Sequence, residues 1–147
     1  SDDAFEIIAE LGDPMIPVCA GMLSEASKNC RVILAGGTQM TAVLAFAKKV
    51  GYEKNNTAIG CTSYIIDDKE ALFLETVKQI DDIAVLVIDP MLSDSQFDGL
   101  RSYSEGFVKE GAGAGGSLIA SVLKTGRSSE RLLELIEKEY QRISTLQ

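Results

Sequence analysis

The chain has 147 residues, 46 % of them apolar, a formal net charge of −8 and no histidine. That is enough apolar chain for one domain with a real core, and too much for a disordered segment. The negative balance argues against nucleic acid or an anionic membrane as partner, since phosphate surfaces call for Lys and Arg. The missing imidazole rules out Ser-His-Asp and Cys-His catalysis within the chain and removes the commonest zinc ligand.

The pattern alternates helix and strand. "DAFEIIAEL" places Ile7, Ile8 and Leu11 on one helical face, with Asp3 as cap, Glu6 three residues on and Gly12 at the end. "DPMIPVCAGMLSEASKN" reads as a second helix, capped by Asp13, with Pro14 in the first turn and Asn29 closing it. "RVILAGG" (31–37) is a short buried strand that runs into two glycines. "TQMTAVLAFAKKVG" follows as a helix apolar nearly all round; Lys48 and Lys49 suit its negative end, and Gly51 fits an αL cap.

"NTAIGCTS" (56–63) is a second strand that ends in small polar residues. "DDKEALFLETVKQI" has Asp67 and Glu70 at capping-box spacing and then helical periodicity. "IAVLVID" is a third strand, stopped by Pro90. Phe97, Leu100, Tyr103 or Ser104, and Phe107 fall at helical spacing. "SLIASVLKTG" and "SSERLLELIEKEYQRI" complete the helices, the last with a stripe of Leu132, Leu133, Ile136, Tyr140 and Ile143. Strands apolar on both faces and alternating with helices predict an α/β fold: a three-layer arrangement with a small, mostly parallel sheet and helices on both faces. Residues 1–147 read as one domain. Its longest apolar runs are far below a membrane span, and its acidic start is not a targeting peptide. Cys19, Cys30 and Cys61 read as reduced core thiols of a cytoplasmic protein.

In open α/β sheets, ligands bind at the carboxyl ends of the strands. This selects Gly36–Gly37–Thr38–Gln39, Gly60–Cys61–Thr62–Ser63 and Asp89–Pro90. At the first, two glycines feed a helix N-terminus, whose free N–H groups and dipole suit an anion; the structural alternative is a tight turn. "KEGAGAGG" (109–116) sets Glu110 at the mouth of a run made only of glycine and alanine. Gly111, Gly113 and Gly116 match G-x-G-x-x-G, but no strand precedes them, so a dinucleotide site is not implied. The alternative is a helix start packed closely on another element. The acidic pairs at 2–3, 67–68 and 81–82 read as caps and solvated surface.

"AFEIIAELGDPMIPVCAGMLSEASKNCRVILAGGTQMTAVLAFA", followed much later by "EGAGAGGSLIASVL", resembles the nicotinate-nucleotide–dimethylbenzimidazole phosphoribosyltransferase family, and its archaeal branch most closely. The likeness runs through residue 47, loosens between about 52 and 105, and is strongest at Glu110 and the glycine-rich helix start. It implies transfer of ribose phosphate from nicotinate mononucleotide to 5,6-dimethylbenzimidazole or a related base. The products would be nicotinate and α-ribazole phosphate, for the lower ligand of cobamides. It implies Glu110 as the general base, with Gly111 and Gly113 beside it. Gly36–Gly37 stand where the family has an Asp-Gly that contacts substrate, and Thr62 and Ser63 fall near its phosphate loop; Thr38 and Gln39 belong to the anion-site reading of the turn, to which they add donors. Two departures stand out: Lys109 replaces a glycine, and Gly36–Gly37 lacks the family's aspartate. No metal or cofactor is expected, because nicotinate already leaves from a cationic pyridinium. The resemblance also implies a homodimer, and a longer enzyme of which this chain is the C-terminal portion. The competing readings are a relative that uses another base and a non-catalytic nucleotide- or phosphate-binding module.

Overall fold

The computed structural model describes residues 3–68, 72–106 and 113–145. Its centre is a three-stranded, fully parallel sheet in the order β1 (Val32–Ala35), β2 (Thr57–Thr62), β3 (Ala84–Ile88). The register sets Leu34 beside Ile59, and Ile59 beside Val85. Alternate residues point to opposite faces. Leu34, Ile59 and Cys61 therefore enter one core, together with Val43, Leu44 and Ala47 of α3 (Gln39–Val50) and Phe73 and Val77 of α5 (Phe73–Ile80). α2 (Met15–Ala26) closes this layer from outside through Ala20 and Leu23, both essentially without solvent exposure.

The opposite face is covered differently. Among the described residues, α7 (Ala114–Thr125) lies along it, against all three strands. The predicted parallel α/β layer with helices on both faces is thus what the chain builds. α8 (Ser129–Ser144) does not cover the sheet. Glu137 accepts hydrogen bonds from Ser95 Oγ at 2.7 Å and from the Gln96 amide at 2.8 Å, and Tyr140 packs on Phe97 with ring centroids 5.2 Å apart. These contacts tie α8 to the segment between β3 and α6 (Asp98–Ser104). Of its predicted stripe Leu132 is buried, while Ile143 is half exposed.

Several local expectations hold for the stated reasons. Asp3 caps α1 (Ala4–Leu11) by accepting from the Phe5 amide at 2.8 Å, and Asp13 accepts from the Met15 amide at 2.8 Å. Others need correction. Ile8 packs against the core, but Ile7 stays 46 % exposed, because α1 touches the body only along a narrow stripe. Asp67 does not start a helix. It ends α4 (Ser63–Asp67), which begins immediately after β2, and α5 starts only at Phe73, after Leu72 turns the chain with φ +45°. Glu70 lies outside the described residues, as does Phe107. Gly51 is not in the αL region, having φ +92° and ψ +137°. Cys30 is exposed rather than a core thiol, whereas Cys61 is buried. Asp81 is more than solvated surface: it accepts from the Tyr52 hydroxyl at 3.0 Å and pairs with Lys54 at 3.3 Å, joining the end of α3 to the entry of β3. No helix among the described residues is long and apolar enough to cross a membrane.

Candidate functional site

The site is built by the way α7 meets the sheet. A Cβ placed on Gly60 would lie 2.8 Å from the Cα of Gly116, so strand and helix backbones touch there. The same construction on Gly115 reaches the Thr62 amide nitrogen at 2.5 Å, and on Gly116 the Cα of Ala35 at 2.6 Å. Distances this short leave room for hydrogen only, which is why the helix begins with glycines. The close-packing alternative for the glycine run is therefore correct for Gly115 and Gly116. Gly113 has another task. With φ +77° it turns the chain into α7, beside the Ala35 carbonyl.

This docking carries the N-terminus of α7 to the carboxyl ends of β1 and β2. Gly36, Gly37 and Thr62 stand at those ends, so the structure brings them together with Gly113. The turn after β1 is fixed by the Gly36 amide donating to the Gly60 carbonyl at 3.1 Å, and Gly37 lies against Ile65. Thr38 and Gln39 follow at the exposed start of α3. Ser63 opens α4 and is half-buried. Glu110 and Gly111 lie outside the described residues, three and two positions ahead of Gly113 in the chain.

Thr62 is the chemically unusual member. It is 2 % exposed, and its Oγ1 makes no hydrogen bond among the described residues. Gly60 faces α7, so Thr62, two residues on, presents its side chain to the same face, level with the first turn of the helix. A buried hydroxyl without a partner costs stability, and such an exception asks for an explanation. The first-turn N–H groups of α7 have no intrahelical acceptor, and they sum with the helix dipole into a positive end. A hydroxyl donor and a helix N-terminus at one place can hold an anionic oxygen such as a phosphate.

A second feature lies next along the chain. Tyr64 and Ile65 of α4, with Asp67, Asp68, Ser93, Tyr103, Ser104, Glu105 and Gly106, line a cleft of about 540 Å³ between the segments that follow β2 and β3. The Tyr64 and Tyr103 ring centroids are 5.5 Å apart. The Tyr64 oxygen accepts from the Leu92 amide at 3.1 Å, and burial pushes its phenol above the ordinary value, so it stays protonated. Sequence reasoning missed this cleft. The available signal was an aromatic two residues beyond the end of a buried strand. Asp89, singled out at the end of β3, turns inward to its own backbone and accepts from the Met91 amide at 2.8 Å. Cys61 faces the core, and burial pushes its thiol up to about 11, which makes it a poor nucleophile. Among the described residues no group of His, Cys, Asp and Glu is arranged to hold a metal ion.

The fold is a parallel α/β layer whose strand ends are met by the N-terminus of α7, with glycines at the contact. Over 84 to 97 % of its length the chain is homologous to proteins named UPF0284. It is 39 % identical to the one from Pyrococcus abyssi over 143 residues, 97 % of this chain and 41 % of that protein. It is 40 % identical to the one from Methanopyrus kandleri over 124 residues, 84 % of this chain and 32 % of that protein. A bacterial relative, from Gloeothece citriformis, is 39 % identical over 141 residues, 92 % of this chain and 38 % of that protein. The chain thus spans about a third to two-fifths of the length of these curated relatives. No protein-family model matches it.

Proposed function

We propose that the protein to which this chain belongs transfers the phosphoribosyl group of nicotinate mononucleotide to a benzimidazole-type base, releasing nicotinate. The observation that carries this reading is the buried Thr62 hydroxyl beside the N-terminus of α7, which has no hydrogen-bond partner among the described residues. A phosphate seated there would complete the hydroxyl and neutralise the helix end.

The chemistry requires a base. A ring nitrogen of the acceptor attacks C1′ of the ribose while nicotinate leaves, and the acceptor's N–H proton must go to a nearby group. With no histidine in the chain, a carboxylate is the natural acceptor, and Glu110 directly precedes the glycine-rich helix start. A positioned general base contributes about 10²–10⁴-fold in rate. In the full-length protein, Glu110→Gln should lose turnover by about that factor with unchanged folding. The test is nicotinate release from nicotinate mononucleotide plus 5,6-dimethylbenzimidazole, wild type against variant. Nucleotide binding without release, whatever the base offered, would make the protein a binding module instead. Release with a purine but not a benzimidazole would make it a relative acting on another base.

A further inference from the structure

We propose that the outer edge of β3 is a docking site for an extended strand supplied by the rest of the full-length protein, which joins the three-stranded sheet as a further strand beside residues 85–88. The inference does not depend on the transferase reading.

Three observations support it. The first is the edge itself. β3 pairs with β2 residue for residue from Ala84 to Ile88, without a bulge, and among the described residues no strand lies beyond it. Such an edge presents a row of unpaired N–H and C=O groups, and native edges are blunted by Lys, Pro, charge or bulges. β3 reads AVLVI and has none of these. The other edge strand, β1, has no exposed residue, whereas β3 exposes Ala84 and, to 49 %, Val87. The second is shape. An open groove of about 510 Å³ is lined by all of residues 85–88 and by Val122 and Leu123 of α7, with Arg127 and two serines as its polar members. Consecutive strand residues point to opposite faces. A space bordered by all four therefore runs along the hydrogen-bonding edge of the strand rather than over one face of the sheet. The third is length. The chain spans about a third to two-fifths of its curated relatives, so a protein of their length has ample chain to supply a strand. Sheets average about 5–6 strands, and fully parallel ones lie within larger α/β layers.

The edge selects its occupant. A helix has already spent its backbone groups on itself, whereas an extended backbone about 4.8 Å away pairs with the whole outward row. The side chains of that strand alternate between two faces. Those on the α7 side come down beside Val122 and Leu123, so apolar residues recur at every second position there. Those on the other side cover Val87, which shares its face with its register partner Cys61 and the core. A strand tethered in the same polypeptide meets the edge at a high effective concentration that a separate copy lacks.

The test is amide hydrogen exchange, resolved by residue, on the full-length protein at several protein concentrations. All amides of residues 85–88 should exchange slowly, the outward ones on the order of 100-fold more slowly than in an unpaired strand, and equally so at every concentration. Rapid exchange at alternate residues of β3 overturns the proposal. Protection that disappears as dilution dissociates an oligomer, followed by sedimentation velocity, assigns the edge to a second copy and overturns the strand from the same chain. Val87→Lys gives an independent reading. Beneath an added strand it places an ammonium group among apolar side chains, and the thermal melt should fall by about 5 °C or more. A melt that moves by less than about 1 °C overturns the proposal, because only an open surface tolerates that charge. Neither readout involves nicotinate release, so the result stands whatever reaction the protein performs.

Discussion

Thr62 and Cys61 are neighbours on β2 that face opposite sides of the sheet, and each leads to a measurement. Thr62→Val removes a buried hydroxyl that lacks a partner. Relief of that desolvation penalty should raise stability by about 1 kcal/mol, read as a higher melting temperature in the full-length protein. The same variant should weaken nicotinate mononucleotide binding about tenfold if the hydroxyl serves the phosphate, since charge-assisted bonds are the strong ones. A stabler protein with undiminished affinity would leave Thr62 without a ligand role. Cys61 gives a pH dependence. Its folded value of about 11 lies above the ordinary value of 9.0. The stability tied to its protonated form is therefore fully present below the unfolded value and is lost as pH rises through the folded one. Denaturant titrations between about pH 8 and 11 should show falling stability, and Cys61→Ala should flatten that slope. The place of Thr62 at a strand end was legible in the sequence. Its lack of a partner was not, because that depends on how α7 lies across β2.

At the scale of elements, the contact between α7 and the sheet decides the architecture of the site. Gly60, Gly115 and Gly116 form a seam where two backbones meet, and a methyl group at Gly116 would press on the Cα of Ala35 at 2.6 Å. Gly116→Ala should destabilise by about 1–3 kcal/mol, the ordinary cost of overpacking a site that cannot relax, and shift the thermal melt accordingly. Gly106→Ala is a milder comparison. Gly106 has φ +82°, so alanine is strained there, but nothing lies within 4 Å of the added carbon. The three strands and most helices were readable from periodicity and caps, since those signals are local. The break between α4 and α5 was not. The capping-box spacing of Asp67 and Glu70 suits one long helix, but a helix that starts directly at Ser63 and a left-handed Leu72 divide the segment. Tyr64 and Tyr103 lie 39 positions apart in the chain, and the fold brings their ring centroids to 5.5 Å.

The whole molecule is a sheet with unequal sides. One face is sealed by α2, α3 and α5, and the other carries α7. Leu123 of α7 is 72 % exposed on the thinner side. Strands β1, β2 and β3 follow one another in order, so each new strand can pair with the one just made. α7 follows all three strands in the chain and returns across the far face to the middle of the sheet, so its seat does not exist until β1, β2 and β3 have all assembled. Contacts that close late leave the folding rate nearly untouched and appear in the unfolding rate. Gly116→Ala should accordingly speed unfolding while refolding proceeds at close to its normal pace, in stopped-flow denaturant jumps. On that expectation the lifetime of the contact between α7 and the strand ends is set by one glycine seam rather than by the core beneath the sheet.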